Sequence, residues 1–281
     1  MAHDLRPAMI HTGMYPRLKM TDSLLIERSG ATLTLRLNRP DLHNAFDAGL
    51  IADLTAALRQ AGNDPDVRVV VLAGEGRSFS AGADLHWMRG MAAASEADNR
   101  IDALALAALM RTLDELPKPT IARVQGAAFG GGVGLVACCD IAIGVDTARF
   151  GLTESRLGLL PAVISPYVVA AIGPRQSRRW FATAEQFDAA AALQMGLLHQ
   201  VVAAGQLDAA VAGQVSLLQK AGPIAAASAK RLVSQVLAGH DRDALDAANA
   251  DLIARLRVSA EGQEGLGAFL EKRSPGWAAD A

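Results

Sequence analysis

The sequence predicts an α/β fold in which helices cover sheets. Three observations carry that reading. Residues 31–37 (ATLTLRL) alternate as a half-buried strand does. Residues 67–73 (VRVVVLA) form the continuous apolar run of a strand buried on both faces. Between residues 120 and 145, a strand, a glycine turn, a helix and a second strand follow one another.

The elements are justified in order. Residues 24–27 and 31–37 read as two short strands around Ser29-Gly30. Asp47 is placed to cap a helix reaching about Gln60, with Leu50, Ile51, Leu54 and Leu58 on one face. After the strand at 67–73 comes a glycine-broken loop, then a helix from about Ala97 to Leu116, stopped by Pro117 and Pro119. Strand 120–124, helix 133–138 and strand 141–145 follow. From about Asp208 the chain is alanine- and leucine-rich helix with no strand pattern. A soft boundary falls at Ala221-Gly222-Pro223. The expected organisation is a poorly ordered lead-in over residues 1–20, a core over 21–221 and a helical layer over 222–281.

The totals exclude several function classes. A chain of 281 residues, 51% hydrophobic and 20% charged, has an ordinary globular composition and ample material for a core. The net charge of -2 gives no basic excess for nucleic acid or an anionic membrane surface. The short run Arg175, Arg178, Arg179 is read as the solvated face of a helix. The two cysteines, Cys138 and Cys139, are adjacent, and disulfide geometry rarely allows neighbours to bridge. They read as buried reduced thiols, with no metal site. The first twenty residues lack the apolar core of a signal peptide, and no window reaches the roughly 18 apolar residues of a membrane span. The expectation is a cytoplasmic protein.

Three segments carry candidate chemistry. The first is Phe79-Ser80-Ala81-Gly82-Ala83-Asp84-Leu85, directly after the buried strand. Its small residues let another group approach the backbone, and amides freed from a strand end can face an anion. A plain tight turn explains the same residues. The second, Gln125 to Gly134 (QGAAFGGGVG), joins a strand to a helix. Its glycines leave amides without intrahelical partners where the helix dipole is positive, which suits a phosphate or a developing oxyanion. It matches neither dinucleotide nor P-loop patterns. The third is Phe150 to Gly158 (FGLTESRLG), with Glu154 between apolar neighbours. A partly desolvated carboxylate there gains acid–base potential, while a surface pair with Arg156 is the plainer account.

Taken together, and with Leu37-Asn38-Arg39-Pro40, Asn44-Ala45 and Cys139-Asp140-Ile141-Ala142-Ile143 in order and spacing, these motifs resemble the enoyl-CoA hydratase/isomerase (crotonase) superfamily from about Leu24 to Trp277. Pro161 to Pro166 and the stretch Glu261 to Arg273 resemble its bacterial methylglutaconyl-CoA and branched enoyl-CoA hydratase branch.

The resemblance implies a spiral of β-β-α turns with a C-terminal helical layer that assembles trimers or dimers of trimers. Leu232, Val233, Val236 and Leu237 form an apolar cluster suited to that contact or to packing within the chain. It implies that the Ala81 and Gly131 amides hold a thioester oxygen. Ala81, Gly82, Ala83, Asp84 and Leu85 would line the coenzyme A groove, and Gly131 and Gly134 would also bind substrate. Glu154 matches one of two catalytic glutamates. The other belongs at position 134, where this chain has Gly134, and the family's glycines after Pro161 are replaced by Ala162 and Ile164.

The implied reaction is hydration of an α,β-unsaturated, branched or methylglutaconyl-type acyl-CoA, with no cofactor beyond the coenzyme A of the substrate. Alternatives are a double-bond isomerase, thioester hydrolysis or decarboxylation on the same amides, and a non-catalytic acyl-CoA binder. Glu154 would act alone or with His86 or Glu96 from the loop after the first segment. A substrate carboxylate would meet Arg89, Arg100 or Arg156.

Overall fold

The computed structural model describes residues 22–239 and 241–278. The lead-in over residues 1–20 lies outside the described residues. Strands β1 (Leu24–Ser29) and β2 (Thr32–Leu37) form an antiparallel hairpin, turned by Gly30 at φ 55°. Helix α1 (Ala48–Asn63) follows, and the Asp47 carboxylate accepts the Leu50 amide at its start, as expected.

From there the chain repeats one unit: a strand in one sheet, a strand in a second sheet, then helix. The first unit is β3 (Val69–Gly74), β4 (Ser78–Ser80) and the helices α2 (Leu85–Ala93) and α3 (Glu96–Asp114). The second is β5 (Thr120–Val124), β6 (Ala127–Phe129) and α4 (Gly131–Cys138). The third is β7 (Ile141–Val145), β8 (Arg149–Gly151) and α5 (Ser165–Thr183), which Gly173-Pro174 kinks. Strand β9 (Gln186–Asp188), α6 (Ala189–Gln194) and β10 (Gln200–Val202) close the spiral. The large sheet runs β1-β2-β3-β5-β7-β10, parallel from β2 onward, and the small sheet runs β4-β6-β8-β9. This is the β-β-α spiral that the resemblance implied.

The core lies between the large sheet and its helices. Every residue of β3 is buried, the consequence of its apolar run. Leu54, Leu58, Leu72, Leu109, Met110 and Leu113 are all fully enclosed. Cys138 and Cys139 are buried free thiols, and burial raises both, Cys139 to about 12.

Helix α7 (Leu207–Lys220) packs on the large sheet through Leu207 and Val211. Helices α8 (Pro223–Leu237), α9 (Arg242–Val258) and α10 (Ala260–Leu270) follow the expected break at Gly222. The Glu261 carboxylate accepts the Ile224 and Ala225 amides and so caps α8 from α10. Arg68 donates to the carbonyls of Ala221 and Trp277, drawing the chain end back to the core. Arg175, Arg178 and Arg179 are solvent-exposed on α5, as read from the sequence.

The sequence reading missed the three-residue strands of the small sheet and the whole of α2. A three-residue strand is too short to show alternation. The signal for α2 was present, since Asp84 stands immediately before Leu-His-Trp-Met and caps that helix.

Candidate active site

A cleft of about 570 Å³ opens where the β4–α2 loop, the start of α4, the loop before α5 and helices α2 and α3 converge. All three candidate segments reach it. Its floor is formed by Ala81, Gly82, Ala83, Gly130 and Gly131, and Thr153 and Glu154 stand beside them. Phe46, Trp87, Met88, Leu106, Val163 and Ile164 supply apolar walls.

Backbone hydrogen bonding shows which amides face the cleft. Ala81 N–H donates to the His43 carbonyl at 2.9 Å, so it is not free for a ligand. This corrects the expectation that Ala81 supplies an oxyanion donor. Gly82 N–H donates weakly to Ser80 Oγ at 3.3 Å. Phe46 then bridges Ala83 in parallel register: Phe46 N–H donates to Gly82 O at 2.6 Å, and Asp84 N–H to Phe46 O at 2.8 Å. In a parallel bridge the residue between those two bonds turns its own N–H away. Among the described residues no acceptor meets Ala83 N–H or Gly131 N–H. Both residues line the cleft.

The glycines bring these amides together. Gly82 adopts φ 82°, and a Cβ there would lie 2.8 Å from Phe129 O and 3.4 Å from Gly131 N. A Cβ on Gly131 would lie 2.5 Å from the Phe46 ring. Only residues without side chains let the two loops approach this closely. Gly130, at φ 49°, starts α4, so the helix dipole adds positive potential at Gly131.

Asp84 has a different place from the one expected. It is buried and does not line the cleft. Its carboxylate caps α2 by accepting the His86 amide at 2.7 Å and the Trp87 amide at 3.3 Å, and it pairs with Arg39 at 3.0 Å. Burial pushes this carboxyl up, but the amide donors and Arg39 outweigh it and leave it below the usual range. Arg39 also holds the Ala45 carbonyl and Asp47. Asn44 donates to the Glu75 and Ser78 carbonyls and accepts the Arg39 amide. The Leu37–Pro40 and Asn44-Ala45 motifs thus brace the β4–α2 loop rather than meeting a ligand.

Glu154 opens a 3-10 turn (Glu154–Leu157) after β8. Its Oε2 is buried without a partner, and burial raises its pKa above the ordinary carboxylate value. A Cβ on Gly130 would lie 3.0 Å from its Oε1, so the carboxylate stands beside the α4 N-terminus. It forms no ion pair with Arg156, which is exposed. Arg89, Arg100 and Arg156 do not line the cleft; nor do His86, an exposed residue of α2, or Glu96, which opens α3.

Gly134 is enclosed within α4 and does not line the cleft either. Ile164 covers it. A Cβ at position 134 would lie 2.3 Å from Ile164 Cγ2. The expectation that Gly134 contacts substrate is therefore corrected: Ile164 presents the surface there.

Residues 27–280 match the family model described as Enoyl-CoA hydratase/isomerase. The chain is 33% identical over 257 residues to "Probable enoyl-CoA hydratase echA8" of Mycobacterium bovis, covering 90% of this chain and 97% of that protein. It is 29% identical over 258 residues to "Crotonyl-CoA hydratase" of Syntrophomonas wolfei, covering 90% and 96%. The crystal structure of an enoyl-CoA hydratase from Shewanella pealeana superposes with a TM-score of 0.89 at 44% identity, covering 92% of this chain and 97% of the other. With its strand–strand–helix spiral, two converging glycine loops and a family match over nearly its whole length, the chain belongs to the enoyl-CoA hydratase/isomerase family.

Proposed function

We propose that this chain is a hydro-lyase that hydrates α,β-unsaturated acyl-CoA thioesters, with the Ala83 and Gly131 amides as the oxyanion hole and Glu154 as the sole protein acid–base. One observation carries the reading. Two acceptor-free amides and one desolvated carboxylate with an unpartnered oxygen face the same cleft.

The thioester oxygen accepts from both amides. Glu154 takes a proton from water as the hydroxide oxygen bonds to the β-carbon. The π electrons move through the α-carbon onto the thioester oxygen, giving an enolate. Glu154 then returns its proton to the α-carbon on the same face. One carboxylate and one water balance the reaction. Preorganised amides of this kind contribute roughly 3 kcal/mol each where they have been removed in other enzymes. Burial raises the Glu154 pKa toward the range where a group both takes and gives a proton.

Glu154→Gln is expected to lower crotonyl-CoA hydration by about a thousandfold or more, read as the loss of enoyl absorbance decay. Acyl-CoA binding, read by calorimetry, should stay within a few-fold because the amides remain. Near-normal turnover in this variant overturns the assignment. Because the active form is the ionised carboxylate, wild-type kcat/KM should rise with pH through a raised Glu154 pKa.

A second reading is favoured by the lone carboxylate: one base suffices to shift a double bond from position 3 to 2. A 3-enoyl-CoA that gains conjugated absorbance, with no hydration of the 2-enoyl isomer, supports it. Loss of neither substrate with retained binding marks a non-catalytic acyl-CoA binder. The walls supply hydrocarbon and no cation among their described residues, which supports a branched apolar chain. A carboxylated chain requires a cation brought to the cleft, and Arg89, adjacent to the wall residue Met88, is the residue to test. Exposed apolar side chains on α8 to α10 support assembly into trimers or hexamers.

A further inference from the structure

One wall of the cleft is built on a glycine. Gly134 and Ile164 are a complementary pair. A Cβ on Gly134 would lie 2.3 Å from Ile164 Cγ2, 2.9 Å from Ile164 Cβ and 3.3 Å from Met110 Cε. Ile164 is 3% exposed, precedes α5, packs into the core and also lines the cleft. Its side chain therefore seats on bare helix backbone that any other residue at 134 would fill.

The placement of that pair gives it a role. Gly134 is three residues beyond Gly131 on α4, so both lie on one helix face, about 4.5 Å apart along the axis. Gly131 offers the amide for the thioester oxygen. The wall made by Ile164 over Gly134 thus lies in the same cleft as the Gly131 amide, one helix turn along from it. This wall carries no polar atom. It cannot hold water, and it offers van der Waals contact to hydrocarbon.

We infer that Ile164, seated on Gly134, is the specificity-determining residue of the cleft and selects acyl-CoA substrates that carry a hydrocarbon branch on the β-carbon. This rests on the acyl-CoA hydratase reading above. A β-methyl group fills the space against Ile164, whereas an unbranched chain leaves that contact unmade. The same pair explains how the chain dispenses with a side chain at 134: the volume is occupied from α5 rather than left open. A glutamate introduced at 134 alone has no room, because its Cβ already meets Ile164.

The test compares 3-methylcrotonyl-CoA with crotonyl-CoA, following each to equilibrium from both the enoyl and the hydroxyacyl side. The parent should favour the β-methyl substrate in kcat/KM by about tenfold, the usual discrimination of one methyl group in a fitted pocket. Ile164→Ala should bring that ratio close to one, read as kcat/KM for the two substrates side by side. Gly134→Ala should lower the Tm, and it should cost less when made in an Ile164→Ala background, which lacks the Cγ2 that the added methyl meets. Gly134→Glu with Ile164→Gly should hydrate crotonyl-CoA faster than Gly134→Glu alone. An unchanged substrate ratio in Ile164→Ala overturns the inference, as does a Gly134→Ala protein with parental Tm and selectivity. If neither substrate turns over and Glu154→Gln matches the parent, the hydratase reading fails instead. Selectivity is then read from calorimetric binding of isovaleryl-CoA against butyryl-CoA, where the same preference, abolished by Ile164→Ala, supports the inference and equal affinity overturns it.

Discussion

The floor of the cleft and the C-terminal helices are built on opposite terms. In the floor and directly beneath it, glycines are packed until no side chain fits: a Cβ on Gly131 of the floor would lie 2.5 Å from the Phe46 ring, and beneath it one on Gly126 would lie 1.9 Å from the Arg77 carbonyl oxygen. In the helices from Pro223 onward, the fully buried residues are Ser228 and Ala268, and α9 has none. Val233, Leu237, Val258, Phe269 and Leu270 are instead exposed. The contrast teaches that the two regions are stabilised by different partners. In the floor, the close contacts that align the two amides are made by residues of the chain itself. The helices present apolar surface that the described chain leaves uncovered, and this is the surface on which the proposed trimer or hexamer would rest.

The contrast is broken most severely from beneath the floor. Gly126→Ala should destabilise the protein by about 3 kcal/mol or more, since the added methyl meets backbone that cannot rotate aside. Urea unfolding measures it, and a shift under ~1 kcal/mol would show that the floor yields more than its packing implies.

The joint between the two regions comes next. Lys230 of α8 pairs with Asp140 at 3.0 Å, and Asp140 also accepts the Thr120 amide and hydroxyl. Lys230→Ala leaves a half-buried carboxylate with fewer donors and should cost about 1–2 kcal/mol. Hydrogen exchange should loosen in α8 to α10 while β5 and β7 keep their protection.

A third effect separates chemistry from packing. Burial raises the Glu154 pKa above its unfolded value. The stability that goes with its neutral form is fully present below the unfolded pKa and is lost as pH rises through the folded one. Glu154→Gln should therefore be more stable than the parent at pH 7. The advantage should vanish in acid, where the parent carboxyl is neutral too. Chemical denaturation at pH 4 and pH 7 reads the crossover. Equal stability at both would mean that the carboxylate is solvated.

The smallest effect on the isolated fold is expected at the exposed face. Leu237→Glu with Val233→Glu should change chain stability by only about 0.5 kcal/mol, yet lower the mass read by light scattering if the proposed trimer or hexamer forms through this face. An unaltered oligomer, or a parent that is monomeric at micromolar concentration, would remove the distinction between the two regions.

Much of this architecture was legible before any coordinates. The alternation in β2, the apolar run of β3 and the Asp47 cap each follow from local chemistry that neighbouring residues alone decide. The three segments that meet at the cleft were also legible, because small residues, glycine runs and an isolated glutamate are compositional signals. The individual atoms were not. Ala81 and Ala83 are the same residue type two positions apart, and no periodicity separates them. His43, which adopts φ 53°, turns its carbonyl onto Ala81, and Phe46 bridges Ala83, so contacts from some 40 residues upstream choose which amide is left free. Asp84 likewise looked like a ligand contact until Arg39 and the α2 amides claimed it.

The sequence by itself therefore determined the fold class, the longer strands and helices and which loops carry chemistry, since these depend on local propensity and burial pattern. Only the tertiary structure decided that Ala83 rather than Ala81 offers its N–H, that Glu154 is desolvated and unpaired, and that Ile164 closes the space over Gly134. Each of those is a statement about atoms distant in the chain. A free amide, a dry carboxylate and a filled cavity are defined by what else comes within a few ångströms, which no stretch of sequence specifies alone.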